Sequence, residues 1–286
     1  MGAEIALVFA LAGHDVLLSD RGDAELKTAL ERLARVLDRG IGRGFYKEEE
    51  KPAALARIRT TTALEDFADR DFVTEAVFES EEVKAEVYRA LDRICLPRCI
   101  LASNTSTIPI STLASYVGEA RRPYFIGTHY FSPASRMKLV EVIPAFETAP
   151  ETVETATRLM READKVPVRV KDVAGFAVNR VFLIFLQEAV RLVEEGVATP
   201  EDIDTACKLG LGHPMGPFEL MGDDLAAGAA GIGNPARRLW RTVSAAGPLE
   251  AAGARRVCRR PRRQRLAQQV APSRRRHSLL FRHGRA

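Results

Sequence analysis

The stretch from Thr128 to Val142 contains two extended segments that flank a turn, and it constrains the fold more than any other part of the sequence. Aromatic and β-branched residues recur in Tyr124–Tyr130 and Lys138–Ile143, a pattern typical of strands. The Ser-Pro-Ala-Ser run between them has the composition of a turn, so we expect the second segment to fold back beside the first. His129 and Glu141 would then meet, with the carboxylate accepting the imidazole N–H and leaving the other ring nitrogen as a base.

A histidine beside a strand-end carboxylate also occurs as a purely structural pair, so the surrounding sequence matters. The segments around it resemble, in the same order, those of the short-chain L-3-hydroxyacyl-CoA (3-hydroxybutyryl-CoA) dehydrogenases. The resemblance covers residues 1 to about 221, and the matching segments are Ser103–Ser106, His129–Pro133, Met137–Val142, Gly175–Arg180 and Gly212–Glu219. In that family the histidine is the acid/base and the glutamate its partner, which implies these roles for His129 and Glu141.

The resemblance implies an α/β fold, a Rossmann-like doubly wound parallel sheet followed by a truncated all-helical domain. We expect an NAD-binding domain at 1–172, the start of the helical substrate and dimerisation domain at 173–221, and a tail at 222–286. Relatives begin with a strand and a Gly-x-Gly-x-x-Gly turn that holds the dinucleotide pyrophosphate. Only the last glycine of that turn has a match, Gly2, which read alone is an ordinary residue after an initiator methionine. The first strand is therefore expected to be missing and the edges of its neighbours exposed.

The net charge of +4 conceals two regions of opposite charge. Residues 1–220 hold 27 Lys+Arg against 35 Asp+Glu, a net charge of −8, whereas residues 221–286 hold 15 Arg and 3 acidic residues, a net charge of +12. A basic tail is one way to bind nucleic acid through its phosphates. Here arginine accumulates abruptly, without lysine or interleaved aromatic residues, which favours a shifted reading frame over a nucleic-acid partner. We therefore expect the tail at 222–286 to be disordered.

The composition of the chain favours a globular protein over a membrane protein or a disulfide-rich one. With 46% hydrophobic and 28% charged residues, the chain is typical of globular proteins. The longest apolar runs are too short for a membrane span, and the first residues lack the pattern of a cleaved leader, so we expect a cytoplasmic protein. Sparse cysteines without CxxC spacing predict reduced thiols and neither a metal site nor a disulfide framework; they are Cys95, Cys99, Cys207 and Cys258.

Acidic residues follow two predicted strands where a dinucleotide fold binds its cofactor. The N-terminal residues predict a helix, a turn and a strand that ends at Asp20, and an acid in that position binds the adenosine ribose and favours NAD over NADP. The buried strand predicted at Asp71–Val77 leads to Glu79 and, in the next helix, to Lys84. By resemblance both contact the nicotinamide half of NAD, although Lys84 alone also fits an exposed surface position.

Two serines are candidates on the strength of the resemblance. Ser106 follows the apolar strand Cys99–Ser103, where a hydroxyl side chain equally fits a cap or turn. In the family the matching serine binds the substrate hydroxyl region and the cofactor. Ser132 stands where many relatives have asparagine beside the nicotinamide, so its polar reach is shorter.

Substrate contacts are also implied by position. Asn179 lies in the first turns of a long apolar helix predicted at Gly175–Glu195, which we expect to be buried. The family residue in that place holds the substrate near the histidine, and a helix-packing amide is the alternative. Arg39 and Arg43 end a charged helix that starts at Asp23; relatives contact the CoA phosphates nearby, whereas a solvated helix face is the default.

Together these features predict an NAD-dependent enzyme that oxidises (S)-3-hydroxyacyl-CoA to 3-oxoacyl-CoA in fatty-acid β-oxidation or butanoate metabolism. The implied partners are an acyl-CoA substrate and, in the intact family, a second copy in a homodimer; no membrane, metal or nucleic acid is expected. Two alternatives remain. One is an inactive fragment of that enzyme whose basic tail binds nucleic acid adventitiously, and the other is a related sugar-acid dehydrogenase with the same fold.

Overall fold

The computed structural model of the chain describes residues 1–222 and 276–281. These residues divide into two compact units. The first unit contains residues 1–176 together with 276–281, and the described part of the second unit is 177–222. Most of the basic tail predicted at 222–286 lies outside the described residues.

The first unit alternates helices with strands. Its elements begin with α1 (Gly2–Leu11), β1 (Asp15–Ser19), α2 (Asp23–Ile41), α3 (Glu50–Ala56), β2 (Ile58–Thr61), β3 (Phe72–Ala76), α4 (Glu81–Ile94) and β4 (Ile100–Ser103). They continue with α5 (Ile110–Ala114), β5 (Phe125–Tyr130), β6 (Leu139–Pro144), α6 (Pro150–Glu162), β7 (Val166–Arg169) and, from the far end of the chain, β8 (Arg276–Phe281).

All these strands belong to one sheet in the order β2-β1-β8-β3-β4-β5-β6-β7. The strands from β2 to β5 in that order are parallel, and β6 and β7 run antiparallel to them. Buried residues of α1, α2 and α6 pack in one hydrophobic cluster, and those of α4 and α5 pack in another. Helices thus cover both faces of the sheet, as in doubly wound folds, and the predicted α/β Rossmann-like class is confirmed.

The middle of the sheet differs from the prediction. Among the described residues α1 is the first element, and β8 lies between β1 and β3 and pairs with both in parallel, with Leu279 opposite Leu18 on one side and Thr74 on the other. The expectation that the neighbours of a missing strand have exposed edges is therefore wrong, because β8 occupies the slot between them. The tail predicted to be disordered differs over the same six residues, 276–281, which form a strand.

Apolar spacing explains why the helices form where they do. In α2 the apolar side chains form one buried stripe, in which Leu33 and Leu37 are fully covered. In α1 nearly every residue is buried, including Ile5, Leu7 and Phe9, because this short helix packs against β1 and β8 in the middle of the sheet.

The described part of the second unit is helical. It contains α7 (Val178–Glu194) and α8 (Pro200–Leu211). Thr199 caps α8, because its side chain accepts the Asp202 N–H. The helix predicted from Gly175 starts later, because Gly175 and Phe176 have positive φ angles of 72° and 47°, which a right-handed helix excludes.

The surface of α7 is a second difference from the sequence prediction. The long helix was expected to be buried, but Val181 is 72% exposed and Ile184 is 55% exposed. Leu186 and Val190 on the same helix are buried in the cluster with α8. None of the helices within residues 1–222 has the length and apolar character that crossing a bilayer requires.

Candidate active site

His129 and Glu141 face each other across two neighbouring strands. The β5–β6 pairing places them directly opposite in register, and His129 Nδ1 lies 2.8 Å from Glu141 Oε2. Both residues are buried, at 4% and 1% exposure. A buried carboxylate that accepts the Nδ1–H leaves Nε2 as the basic nitrogen. The meeting predicted from the turn sequence is confirmed.

Ser106 approaches the other side of the imidazole. Its Oγ lies 3.1 Å from His129 Nε2, on the loop that follows β4. The Asn104 side chain, from the same loop, accepts the Tyr130 N–H at 2.9 Å and so ties the loop to β5. Ser106, His129 and Glu141 therefore form a continuous hydrogen-bonded series with one hydroxyl at its outer end, which suits transfer of a proton to or from a bound hydroxyl group.

Two aromatic rings enclose the imidazole. The ring centroids of Phe131 and Phe176 lie 4.7 Å and 5.5 Å from that of His129. Sequence reasoning assigned neither ring to the site. Phe176 reaches it because of its left-handed backbone next to Gly175, a conformation that the spacing of apolar residues does not reveal. Apolar walls of this kind reduce the access of water to a base.

Glu79 organises the loop that carries Ser106. Its Oε1 accepts the Ser106 and Thr107 N–H groups at 2.9 and 3.0 Å and the Thr105 hydroxyl at 2.6 Å. Burial on its own raises the pKa of Glu79, but the Lys84 ammonium and these donors outweigh it and lower the pKa from its ordinary value. The carboxylate is thus ionised, and its side chain stays 35% exposed.

Lys84 is placed differently from an exposed surface lysine. Its residue exposure is 0%, and its Nζ lies 2.6 Å from Glu75 Oε1 and 3.2 Å from Glu79 Oε2. The surface alternative is therefore wrong, while contact with the nicotinamide half stays a prediction. Glu75 was not among the predicted site residues. Its position within the apolar strand Asp71–Val77 was nevertheless a usable signal, since a buried acid requires a polar partner.

The carboxyl edge of the sheet carries the residues that suit a dinucleotide. Because β1, β3 and β4 are parallel, their following residues Asp20, Glu79 and Ser106 emerge at the same edge. Asp20 is buried at 3% exposure and its Oδ1 accepts the Arg21 N–H. Gly2 is the first residue of α1, at the positive end of that helix. An acid after β1 can accept from a ribose hydroxyl and a helix N-terminus suits a pyrophosphate, so the residues present fit NAD.

Arg39 and Arg43 line a cavity of about 230 Å³ that also contains Arg32 and Arg136. Its acidic group, Glu4, forms an ion pair with Arg32 at 2.6 Å. Both Arg39 and Arg43 are exposed, so their guanidinium groups are available to an anion. A cavity rich in arginine suits phosphate groups, as the sequence analysis expected for CoA.

Ser132 and Asn179 are the remaining residues for which the sequence predicts a role in the site. Ser132 is exposed in the connection between β5 and β6. Asn179 is the second residue of α7 and is partly buried in the second unit. Within residues 1–222, no three His, Cys, Asp or Glu side chains are grouped in a way that would hold a metal ion.

Sequence profiles of one family match both parts of the chain. The profile described as 3-hydroxyacyl-CoA dehydrogenase, NAD binding domain, matches residues 1–173. The profile described as 3-hydroxyacyl-CoA dehydrogenase, C-terminal domain, matches residues 175–242. The second match continues past the point near residue 221 where the resemblance of individual segments ends.

Individual proteins give the same result. The chain is 41% identical over 223 residues to a probable 3-hydroxybutyryl-CoA dehydrogenase of Deinococcus radiodurans, covering 77% of this chain and 78% of the relative. It is 40% identical over 228 residues to the mitochondrial hydroxyacyl-coenzyme A dehydrogenase of Sus scrofa, covering 77% and 72%. The crystal structure of (S)-3-hydroxybutyryl-CoA dehydrogenase from Ralstonia eutropha is similar with a TM-score of 0.78 at 35% identity, covering 86% of this chain and 84% of that one.

Proposed function

This chain belongs to the 3-hydroxyacyl-CoA dehydrogenase family, and from that premise we propose that it oxidises a short (S)-3-hydroxyacyl-CoA, with His129 as the acid/base. Family membership makes NAD its cofactor and a 3-hydroxyacyl-CoA its substrate class. The observation that carries the proposal is the hydrogen-bonded series Ser106–His129–Glu141, buried at one end and open to a hydroxyl ligand at the other.

The oxidation breaks the O–H and C3–H bonds of the substrate and forms the C3 carbonyl. Bound NAD would supply the acceptor for the hydride that leaves C3 with its electron pair. His129 Nε2 takes the hydroxyl proton, and Glu141 stabilises the resulting imidazolium, whose Nδ1 lies 2.8 Å from the Glu141 carboxylate. Ser106 Oγ, which lies 3.1 Å from Nε2, holds the reacting oxygen within reach of that nitrogen.

The other predicted residues complete the proposal. Asp20 would bind the adenosine ribose, the N-terminus of α1 at Gly2 the pyrophosphate, and Glu79 and Ser132 the nicotinamide half. Arg39 and Arg43 would bind the CoA phosphates, supported by the arginine-lined cavity in which they lie. Asn179 would contact the substrate, a role supported by its position in the family segment Gly175–Arg180.

A homodimer in the cytoplasm is part of the proposal. Apolar side chains exposed on the second unit support an interface there, since contiguous exposed apolar surface marks association sites; examples are Val181, Ile184, Leu209 and Leu211. Sedimentation of the full chain at micromolar concentration tests the dimer. A monomer at every concentration would contradict this part alone.

The decisive experiment is an assay of the purified 286-residue chain with NADH and acetoacetyl-CoA, alongside a separate titration of NADH binding. We expect loss of NADH absorbance that depends on acetoacetyl-CoA. Binding of NADH without turnover of any 3-oxoacyl-CoA, but with oxidation of a sugar acid by NAD, would favour the sugar-acid alternative. Absence of both binding and turnover in a folded chain would favour the inactive alternative.

A further inference from the structure

We propose that Glu75 and Lys84 form a buried relay that fixes the carboxylate of Glu79 and thereby positions Ser106 against His129. This inference rests on the proposed function for its catalytic meaning. Its structural content, the placement of the Ser106 loop by two buried charges, stands on the contacts alone.

Glu75 is the fixed end of the relay. It lies on β3 at 0% exposure and accepts four hydrogen bonds, from Lys84 Nζ at 2.6 Å, Tyr88 OH at 2.9 Å, Ser103 Oγ at 2.8 Å and the Val77 N–H at 2.7 Å. These donors come from α4, from β4 and from Val77, the residue that follows β3. A carboxylate held from three elements of the fold cannot move independently of them, so it provides a rigid anchor.

Lys84 transmits that anchorage to Glu79. Its ammonium group bridges Glu75 Oε1 and Glu79 Oε2 with no exposure to solvent. Of the two carboxylates, Glu79 is the more exposed, at 35% against 0% for the Glu75 side chain. Lys84 therefore acts on the Ser106 loop through Glu79.

Glu79 passes the constraint to the loop. Lys84 holds Oε2, so Oε1 faces residues 105–107. This oxygen accepts the N–H groups of Ser106 and Thr107 and the hydroxyl groups of Thr105 and Thr107. A loop wrapped around one oxygen atom takes its position from that atom. The same loop presents Ser106 Oγ to His129 Nε2, so the geometry of the proton-transfer series depends on Glu75 through four successive contacts.

The test removes the negative charge of the buried Glu75 and measures the amide hydrogen exchange of the loop that carries Ser106. In Glu75→Gln the side chain keeps its size, but Lys84 loses one of its two anionic partners and draws Glu79 away from the loop. We expect the amide hydrogen exchange of Ser106 and Thr107 to speed up by about tenfold, since local opening becomes easier. We also expect kcat with acetoacetyl-CoA to fall by about tenfold while KM changes less, because an interaction that aligns the base is lost.

Lys84→Met and the double variant Glu75→Gln/Lys84→Met show whether the two residues act as one unit. The single lysine variant leaves the buried Glu75 and the partly exposed Glu79 without their shared cation, and the double variant removes one of those charges. We expect kcat of the double variant to exceed that of Lys84→Met, a rescue that additive structural damage does not produce.

Asp92→Asn is the matched control, because Asp92 forms a partly buried ion pair with Arg121 at 3.1 Å in the same unit without contacting the loop. It should lower the unfolding midpoint and leave Ser106 exchange and kcat unchanged. Wild-type exchange at Ser106 and Thr107 in Glu75→Gln, measured on folded protein, would overturn the relay. The exchange measurement needs no substrate, so a wild-type chain without turnover would contradict the proposed function and leave this test intact.

Discussion

The corner, by which we mean the proposed proton-transfer residues Ser106, His129 and Glu141, and the central strand β8 lie in or beside the same sheet but are specified in different ways. His129 and Glu141 are 12 residues apart and meet through one turn. By contrast, β8 is the last described segment of the chain. It lies in the sheet between β1 and β3, two strands from the first third of the chain. The corner thus depends on local sequence, whereas the middle of the sheet depends on contacts between distant segments, and damage to each should have different consequences.

The largest expected effect is on rate and comes from the corner. His129→Gln removes the acid/base, and we expect kcat to fall by about 10²–10⁴-fold, the usual contribution of a positioned acid/base. NADH affinity and the unfolding midpoint should remain near those of the wild type, because glutamine has a similar size and its amide can still donate a hydrogen bond to Glu141. Turnover close to wild type would contradict the role of His129, and a large loss of stability would erase the distinction between the two regions.

The next effect is on stability and comes from β8. Leu279→Pro removes a backbone N–H from a strand that pairs on both sides, and we expect a loss of at least about 3 kcal/mol in the free energy of unfolding. Urea denaturation followed by circular dichroism measures it.

Arg169→Pro provides the control for that experiment. In the outer strand β7 the N–H groups of Val166 and Val170 bond to β6, so alternation leaves the Arg169 N–H on the outer edge, where proline is tolerated. Its effect should be below about 1 kcal/mol. Equal effects of both substitutions would show that β8 does not complete the sheet.

A smaller effect concerns pH and the connection between β5 and β6. Lys165 Nζ donates to the carbonyl oxygens of Ala134 and Met137 at 2.6 and 2.9 Å, and burial, assisted by Lys138, lowers the pKa of Lys165 to about 8. The unfolded lysine has its ordinary, higher pKa, so between these two values the unfolded state binds more protons. The free energy of unfolding should therefore rise with pH in that window, by up to about 3 kcal/mol.

Lys165→Met isolates this contribution because it removes the titrating group. Wild type and variant should differ in the slope of stability against pH only between about pH 8 and 10.5. Parallel profiles through that window would contradict the lowered pKa. Lys165 holds the connection between β5 and β6 that follows His129. The difference in stability between wild type and variant therefore also measures how much a residue outside that connection stabilises it.

The smallest effect is on cofactor affinity. Ser132→Asn restores the longer amide that many relatives carry, and we expect the Kd for NADH to fall about two- to threefold, the gain of one modest hydrogen bond of about 0.5 kcal/mol. Ser115→Asn, at an exposed serine after α5, should leave the Kd unchanged. An unchanged Kd in both variants would mean that Ser132 does not lie beside the bound nicotinamide.

Several features of the fold and site follow from short-range patterns in the sequence. Alternation and turn chemistry predict the strands on either side of Ser132–Pro133, and their antiparallel register follows from the turn. Apolar spacing predicts the buried stripe of α2, and the capping threonine predicts the start of α8. Each of these signals acts between residues close in sequence, so the energies that decide them are local.

Tertiary structure alone decided the rest. Glu75 receives donors from α4, from β4 and from Val77 after β3, and the residue spacing within a single segment does not predict this convergence. Phe176 turns toward His129 through a left-handed backbone. A parallel strand has no turn to fix its partner, so the entry of β8 between β1 and β3 depends on which backbone edges are available once the remaining strands have assembled. The sequence by itself therefore determined the chemistry of the corner, and the packed sheet determined which distant residues hold it in place.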